Sequence, residues 1–268
     1  LPILWDFIKY NQIITLLESK KTEYMALYHT LGRVDMAISI ASFRESLPFY
    51  CQPNFRDDMT LKMDEIYHPL IDEPISNDLT LKSNCIITGS NASGKSTFIK
   101  AVAINAMLAH SIHTCMAKEM TLPLSRVITS MAVRDELMSG ESYYIKEIKY
   151  LNRIVKSLSD DRLVLCVIDE ILRGTNTEER IAASVSILEY LGDKNCIAVV
   201  ASHDIELTQM LNEHYLNYHF REKLNDKDVA FDYKIYEGAT VSRNAIKLLE
   251  YVGFPQEITE RAKILVNR

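Results

Sequence analysis

The chain has 268 residues, of which 47% are hydrophobic and 25% are charged, a composition typical of globular proteins. Acidic residues outnumber basic ones by 36 to 30, and the net charge of -6 excludes the basic footprint of a stand-alone nucleic-acid-binding domain. There is no apolar run of about 18 residues and therefore no predicted membrane segment. Five widely spaced cysteines without a C-x-x-C pair favour a reducing, cytoplasmic environment.

Two periodicities divide the chain. Residues 1 to about 48 have helical apolar spacing and predict two helices that break near Gly32, within a helical segment of residues 1–55. From Asn84, short β-rich runs alternate with amphipathic segments, which predicts an α/β domain at residues 56–268 with a mostly parallel central sheet flanked by helices. Strands are predicted at 85–88, 163–168, 197–201 and, as part of a late pair, 230–236. Helices are predicted at 95–110, 143–158, 177–191 and 205–212, and on both sides of 253–255.

A phosphate-binding loop follows the first of these strands. The pattern G-x-x-x-x-G-K-[ST] is met by Gly89, Gly94, Lys95 and Ser96, after the apolar run 85–88 and at the start of a predicted helix. Glycines allow the backbone N–H groups to point at phosphate oxygens, and the helix N-terminus adds partial positive charge. We expect Lys95 to reach the β- and γ-phosphates of a nucleotide and Ser96 to bind Mg2+.

Two later strands each end in polar residues that suit nucleotide hydrolysis. The strand at 163–168 delivers Asp169 and Glu170 to the carboxyl edge of the predicted sheet, where open α/β sheets bind ligands. Asp169 is expected to bind Mg2+, and Glu170 to orient and deprotonate the attacking water. The strand at 197–201 is followed by Ser202 and His203, and His203 is expected to contact the γ-phosphate.

These segments resemble the MutS family of DNA mismatch repair ATPases over nearly the whole chain. The segment D-E-I-L-R-G-T-N at 169–176 resembles the family's D-E-x-x-R-G-T-[ST], and A-S-H-D-I-E-L at 201–207 is similar to its [AS]-[TS]-H-x-x-E-L. Further similarity covers the signature-like segment from 135 to 148, Tyr67-His68-Pro69, and residues 231–262.

The resemblance implies an ABC-type P-loop NTPase domain that dimerises, preceded by the end of a helical lever at residues 1–55. It implies that Ser139, Gly140 and Ser142 face the γ-phosphate bound by a second copy of the chain. ATP and Mg2+ are the implied cofactors, and DNA is expected to bind through regions outside this fragment. Nucleotide contacts are expected along the whole loop: Gly89, Ser90, Asn91, Ala92, Ser93, Gly94, Lys95, Ser96 and Thr97.

Departures from the family pattern concern the loop and the base. Ser90, Ala92 and Ser93 stand where the family usually has Pro and two Gly, which leaves the phosphate-binding geometry intact. The family's adenine-stacking aromatic is replaced near Pro74-Ile75, so the base contact is expected from His68 or Tyr67. Two alternatives stay open at this point: an ABC-type head of another DNA-maintenance or transport assembly, and a module that holds ATP without turnover.

Overall fold

The chain divides into two compact units, Leu1–Pro48 and Phe49–Arg268. The computed structural model describes residues 2–90, 93–131, 143–158, 162–172, 176–225, 228–239 and 245–266. The division comes earlier than the predicted boundary at residue 55. Residues just after Pro48 already pair within the second unit, since Cys51 forms a two-hydrogen-bond bridge with Cys115.

The first unit contains two helices, as predicted, but they do not break at Gly32. Helix α1 spans Pro2–Ser19 and helix α2 spans Lys21–Glu45, so Gly32 lies inside α2. The interruption is at Lys20, whose φ of -115° and ψ of 25° leave the helical region. A single glycine costs a helix only about 1 kcal/mol relative to alanine, which the hydrogen bonds of a long helix outweigh.

The second unit contains ten strands and six helices in its described residues. The strands are β1 (Asn54–Arg56), β2 (Leu61–Ile66), β3 (Asn77–Leu81), β4 (Asn84–Thr88), β5 (Glu119–Pro123), β6 (Arg126–Ser130), β7 (Val164–Asp169), β8 (Cys196–Ala201), β9 (Tyr215–Asn225) and β10 (Asp228–Glu237). The helices are α3 (Lys95–Ile112), α4 (Tyr143–Ser157), α5 (Thr177–Gly192), α6 (Ile205–Met210), α7 (Ala245–Val252) and α8 (Gln256–Val266).

The larger sheet has the strand order β10-β9-β4-β8-β7-β6. Its strands from β9 to β6 pair in parallel, and β10 runs antiparallel to β9. Every residue of β4, β7 and β8 is buried, because apolar clusters cover both faces of the sheet. Helix α3 contributes to one cluster, and helices α4, α5 and α6 contribute to the other. The predicted α/β class is confirmed.

A smaller sheet with the order β1-β5-β2-β3 was not predicted. Its apolar side chains, including Leu61, Met63 and Leu81, join the same cluster as Phe98 and Val102 of α3. The smaller sheet therefore shares an apolar core with α3. It also supplies the segment before β4, which borders the candidate site.

The five cysteines are free thiols, and three of them lie in the larger sheet. Cys85, Cys166 and Cys196 are buried in β4, β7 and β8, as expected for small apolar side chains. Burial raises the pKa of Cys85 to about 12. For Cys166, a hydrogen bond with the neighbouring Cys196 and burial hold the pKa well above the ordinary thiol value. The thiols of Cys85 and Cys166 are therefore neutral at physiological pH.

Candidate nucleotide-binding site

The predicted phosphate-binding loop connects β4 to α3, and its two glycines occupy positions that other residues fit poorly. Gly89 has a φ of 140°, and a Cβ added to it would lie 2.7 Å from the main-chain oxygen of Phe220. Gly94 has a φ of 102°, and an added Cβ would lie 3.1 Å from Cδ1 of Tyr233. Glycine is therefore required at Gly89 by both conformation and space.

Lys95, at the start of α3, is folded into this loop. Its side chain is almost fully buried, and Nζ donates to the main-chain oxygens of Gly89, at 2.5 Å, and of Ser90, at 2.8 Å. The Ser93 hydroxyl also donates to the Ser90 oxygen, at 2.8 Å. A buried ammonium is tolerated only where oxygen atoms surround it. The loop thus holds its positive charge beside the N-terminus of α3, where an anion is favoured.

The next residue joins the loop to the end of β7. The Ser96 hydroxyl donates to Oδ1 of Asp169 at 2.9 Å, and Asp169 is only 8% exposed. A hydroxyl and a carboxylate are hard oxygen ligands of the kind that Mg2+ uses together with phosphate oxygens and water. Among the described residues, no group of three or more His, Cys, Asp or Glu side chains could hold a metal alone. The oxygen ligands of Ser96 and Asp169 fit a Mg2+ ion.

Glu170 follows Asp169 and contacts His203. The Glu170 carboxylate is buried and its Oε1 meets Nε2 of His203, whose side chain is 39% exposed. Glu170 and Leu172 adopt positive φ values of 60° and 58°, a conformation that costs a non-glycine residue about 1–3 kcal/mol. Burial of Ile171 and Leu172 in the apolar cluster offsets this cost. The strained turn is thus anchored with its carboxylate aimed at the histidine.

Main-chain hydrogen bonds hold the ends of the three strands together. The N–H of Glu170 donates to the oxygen of Ala201 at 3.0 Å, and the N–H of Ser202 donates to the oxygen of Ile87 at 3.0 Å. These bonds continue the β7–β8 and β8–β4 pairings past the ends of the strands. As a result, the loop, Asp169, Glu170 and His203 meet at one edge of the sheet.

An ion pair beside His203 was missed by the sequence analysis. Arg180 of α5 donates to both carboxylate oxygens of Asp204, with Nε–Oδ2 at 3.0 Å and Nη2–Oδ1 at 2.7 Å. With Glu170, Ile171, Ser202 and His203, these two residues line a hollow of about 110 Å³. Only the adjacency of Asp204 to His203 in the sequence could have suggested its importance.

A larger cleft of about 440 Å³ borders the other side of the loop. Its lining includes Pro74, Ile75, Gly94, Thr97, Phe220 and Tyr233. Ile75 and Tyr233 are 45% and 43% exposed, so an aliphatic and an aromatic side chain remain open to a ligand. Tyr233 was not predicted as a site residue.

Comparison with known proteins places the chain in a family. The family model for MutS domain V matches residues 85–268. The chain belongs to the MutS family. It is 30% identical over 269 residues to the DNA mismatch repair protein MutS of Pseudothermotoga lettingae, and this alignment covers 96% of this chain and 33% of that protein. It is also 30% identical over 255 residues to the protein of the same name from Streptococcus pyogenes serotype M49, covering 90% of this chain and 30% of that one.

The chain thus spans about a third of the length of these MutS relatives. The matched MutS domain V contains every predicted site residue except Tyr67 and His68. Asn91, Ala92, Ser139, Gly140, Ser142 and Arg173-Gly174-Thr175 belong to this domain but lie outside the described residues. Among the helices that the structure describes, none combines the length and apolar composition needed to cross a membrane.

The two predicted base contacts of this MutS-family chain lie apart from the cleft lining. The Tyr67 side chain is buried, and its hydroxyl donates to the main-chain oxygen of Phe49 at 2.6 Å, so a base contact from Tyr67 stays a prediction that this burial does not favour. His68 accepts the N–H of Leu70 on Nδ1 at 3.2 Å, and burial and Lys100 lower its pKa. A nucleotide contact from His68 stays a prediction.

Proposed function

We propose that this chain binds and hydrolyses ATP, with Mg2+, as the ABC-type ATPase portion of a MutS-family DNA mismatch repair protein. The observation that carries the proposal is the meeting of Ser96 with Asp169, and of Glu170 with His203, at one edge of the sheet. Family membership and the names of the MutS relatives support the repair context. A carboxylate beside a phosphate loop suits hydrolysis better than passive binding.

Binding of the triphosphate begins at the loop. The main-chain N–H groups from Gly89 to Thr97 and the N-terminus of α3 would receive the phosphates. The Lys95 ammonium would leave the loop carbonyl oxygens and donate hydrogen bonds to the β- and γ-phosphate oxygens instead. Ser96 and Asp169 would hold Mg2+, which supplies charge neutralisation when it is bound. The base would enter the neighbouring cleft between Ile75 and Tyr233, where an aromatic ring can stack on it.

The hydrolytic step needs a base near the γ-phosphate. Glu170 would accept a proton from water while the water oxygen attacks the γ-phosphorus. The bond from that phosphorus to the bridging oxygen breaks, which releases ADP and phosphate. His203 contacts Glu170 directly, so the histidine would orient this carboxylate. It would also contact the γ-phosphate. The strained turn at Glu170 and the contact with His203 would hold the carboxylate in place before substrate binds.

The proposed active form is a homodimer with composite ATP sites. Ser139, Gly140 and Ser142 of each copy would contact the γ-phosphate bound by the other, and Asn91 would lie near it. Residues 1–55 would be the end of a lever that links this ATPase to DNA-contacting regions outside the fragment. The net charge of -6 agrees with DNA binding elsewhere. The cytoplasm is the proposed location.

The proposal is tested by replacing Glu170 with Gln. Steady-state phosphate release and ATP affinity, by calorimetry with Mg2+, are measured for wild type and variant. We expect hydrolysis to fall about 10²- to 10⁴-fold, because the amide cannot accept the proton. ATP affinity should stay within a few-fold. Glu189→Gln is the matched control, since Glu189 is an exposed carboxylate on α5, and it should turn over like wild type.

Equal turnover by Glu170→Gln and wild type would remove Glu170 from the mechanism. ATP binding without any phosphate release by the wild type would instead favour a module that holds ATP as a structural ligand.

A further inference from the structure

Strand β10 contains an irregularity next to the cleft. Phe231 pairs with Glu222 of β9, but the next pair joins Ile235 to Phe220, so β10 carries extra residues between these two pairs. Tyr233 lies in the middle of this bulge with a φ of 53°. A bulge leaves main-chain groups without partners in the ladder, and a non-glycine residue keeps positive φ only where its surroundings impose it.

Asn77 supplies the missing partners from the smaller sheet. It is the first residue of β3 and is only 6% exposed. Its Oδ1 accepts the N–H of Ile235 at 2.8 Å, and its Nδ2 donates to the main-chain oxygen of Tyr233 at 3.0 Å. A carboxamide offers one acceptor and one donor group, as a peptide does, so it can replace a pair of ladder bonds. Asp or Leu at this position cannot make both contacts.

The same side chain also contacts the segment that precedes it, which lines the cleft. Asn77 Nδ2 lies 3.4 Å from the main-chain oxygen of Ile75, and Lys234, inside the bulge, donates to the main-chain oxygen of Ser76. Ile75 and Tyr233 are two of the exposed apolar side chains that line the cleft beside Gly94. The segment 75–77 and the bulge of β10 are therefore fastened together, and the separation of the cleft walls depends on Asn77.

We propose that Asn77 is a positioning residue for base recognition, which acts through Tyr233 and Ile75 and sets the affinity for the nucleobase of the substrate. This inference rests on the proposed function. Asn77 bonds the walls of the base cleft, whereas the groups expected to bind phosphate and Mg2+ are Lys95, Ser96 and Asp169. Its removal is therefore expected to weaken binding of the base and to leave phosphate binding and the hydrolytic step unchanged.

The test is a comparison of Asn77→Leu with wild type. KM and kcat for ATP are measured together with inhibition by inorganic tripolyphosphate, a probe that has phosphates and no base. We expect KM for ATP to rise about tenfold, since the hydrogen bonds of Asn77 to the Tyr233 oxygen and the Ile235 N–H, which hold the bulge, are lost. The kcat and the tripolyphosphate inhibition constant should stay within about twofold. In a Tyr233→Ala background, Asn77→Leu should add no further increase in KM.

Asn217→Leu is the matched control, because Asn217 is a half-buried carboxamide that donates to Thr208 at 3.2 Å, away from the cleft. It should leave KM unchanged. If Asn77→Leu does not fold, Asn77→Asp keeps the acceptor for Ile235 and is judged by the same measurements. An unchanged KM, a parallel loss of tripolyphosphate binding, or an additive effect in the Tyr233→Ala background would overturn the proposal. Absence of ATP binding by the wild type would reject the proposed function instead.

Discussion

Replacement of Gly89 with Ala tests the steric argument for the loop. The new Cβ would lie 2.7 Å from the Phe220 main-chain oxygen, 3.0 Å from Ser93 Oγ and 3.3 Å from Phe220 Cβ. Ser93 Oγ can rotate, but the Phe220 oxygen belongs to the backbone of a buried residue in β9, a strand that pairs with both β10 and β4. The substitution must therefore displace either β9 or the loop.

The expected loss of stability has two parts. Positive φ costs an alanine roughly 1–2 kcal/mol, and overpacking against backbone adds roughly 1–3 kcal/mol. The sum, about 2–5 kcal/mol, corresponds to a Tm decrease of roughly 10 °C for a unit of this size. ATP affinity should fall about 10- to 100-fold, because displaced N–H groups lose charge-assisted hydrogen bonds to phosphate.

Gly253→Ala separates the two parts. Gly253 has a φ of 89°, yet an added Cβ would meet no atom within 4 Å, so it measures conformational strain without overpacking. Thermal unfolding by circular dichroism and ATP titration are compared for both variants. The reasoning is refuted if Gly89→Ala melts at the same temperature as Gly253→Ala and binds ATP like wild type.

Two further predictions concern the hydrolytic site and its partner copy. Arg180→Ala should lower kcat about tenfold or more with little change in ATP affinity, because Asp204 no longer holds the turn that carries His203. The double exchange Arg180→Asp with Asp204→Arg should recover part of the lost hydrolysis rate in single-turnover assays. Lys62→Ala is the control, because Lys62 belongs to an exposed ion pair, and it should not change the hydrolysis rate. Glu170→Gln with saturating ATP should sediment as a dimer, and a strict monomer would count against the composite site.

The parts of the fold that follow local rules could be predicted from the sequence. Strands β4, β7 and β8 are continuous apolar runs, and each predicted helix after Asn84 has its counterpart from α3 to α8. The position of the residues that follow these strands, at one edge of the sheet, was predictable for the same reason. The carboxyl ends of neighbouring parallel strands meet at one edge, and the spacing of the glycines and Lys95 is characteristic of a phosphate loop.

The smaller sheet and the cleft depend on contacts between distant residues. Strand β1 has three residues and pairs with β5 through partners such as Asn54 and Thr121. A strand this short has no periodicity from which the pairing could be predicted. The contact of Asn77 with Tyr233 likewise crosses between sheets. Gly32 shows the opposite error. Its weak intrinsic preference against helix predicts a break, but the surrounding helix α2 tolerates it.

Chemical labelling of the buried thiols can follow the opening of the larger sheet during unfolding. Cys85 belongs to the apolar cluster on the α3 face, whereas Cys166 and Cys196 belong to the cluster on the other face. Burial and raised pKa values protect Cys85 and Cys166 from alkylating reagents while helices cover both faces of the sheet. The order in which these cysteines become modified would therefore report which of the two helical layers separates from the sheet first, without any introduced probe.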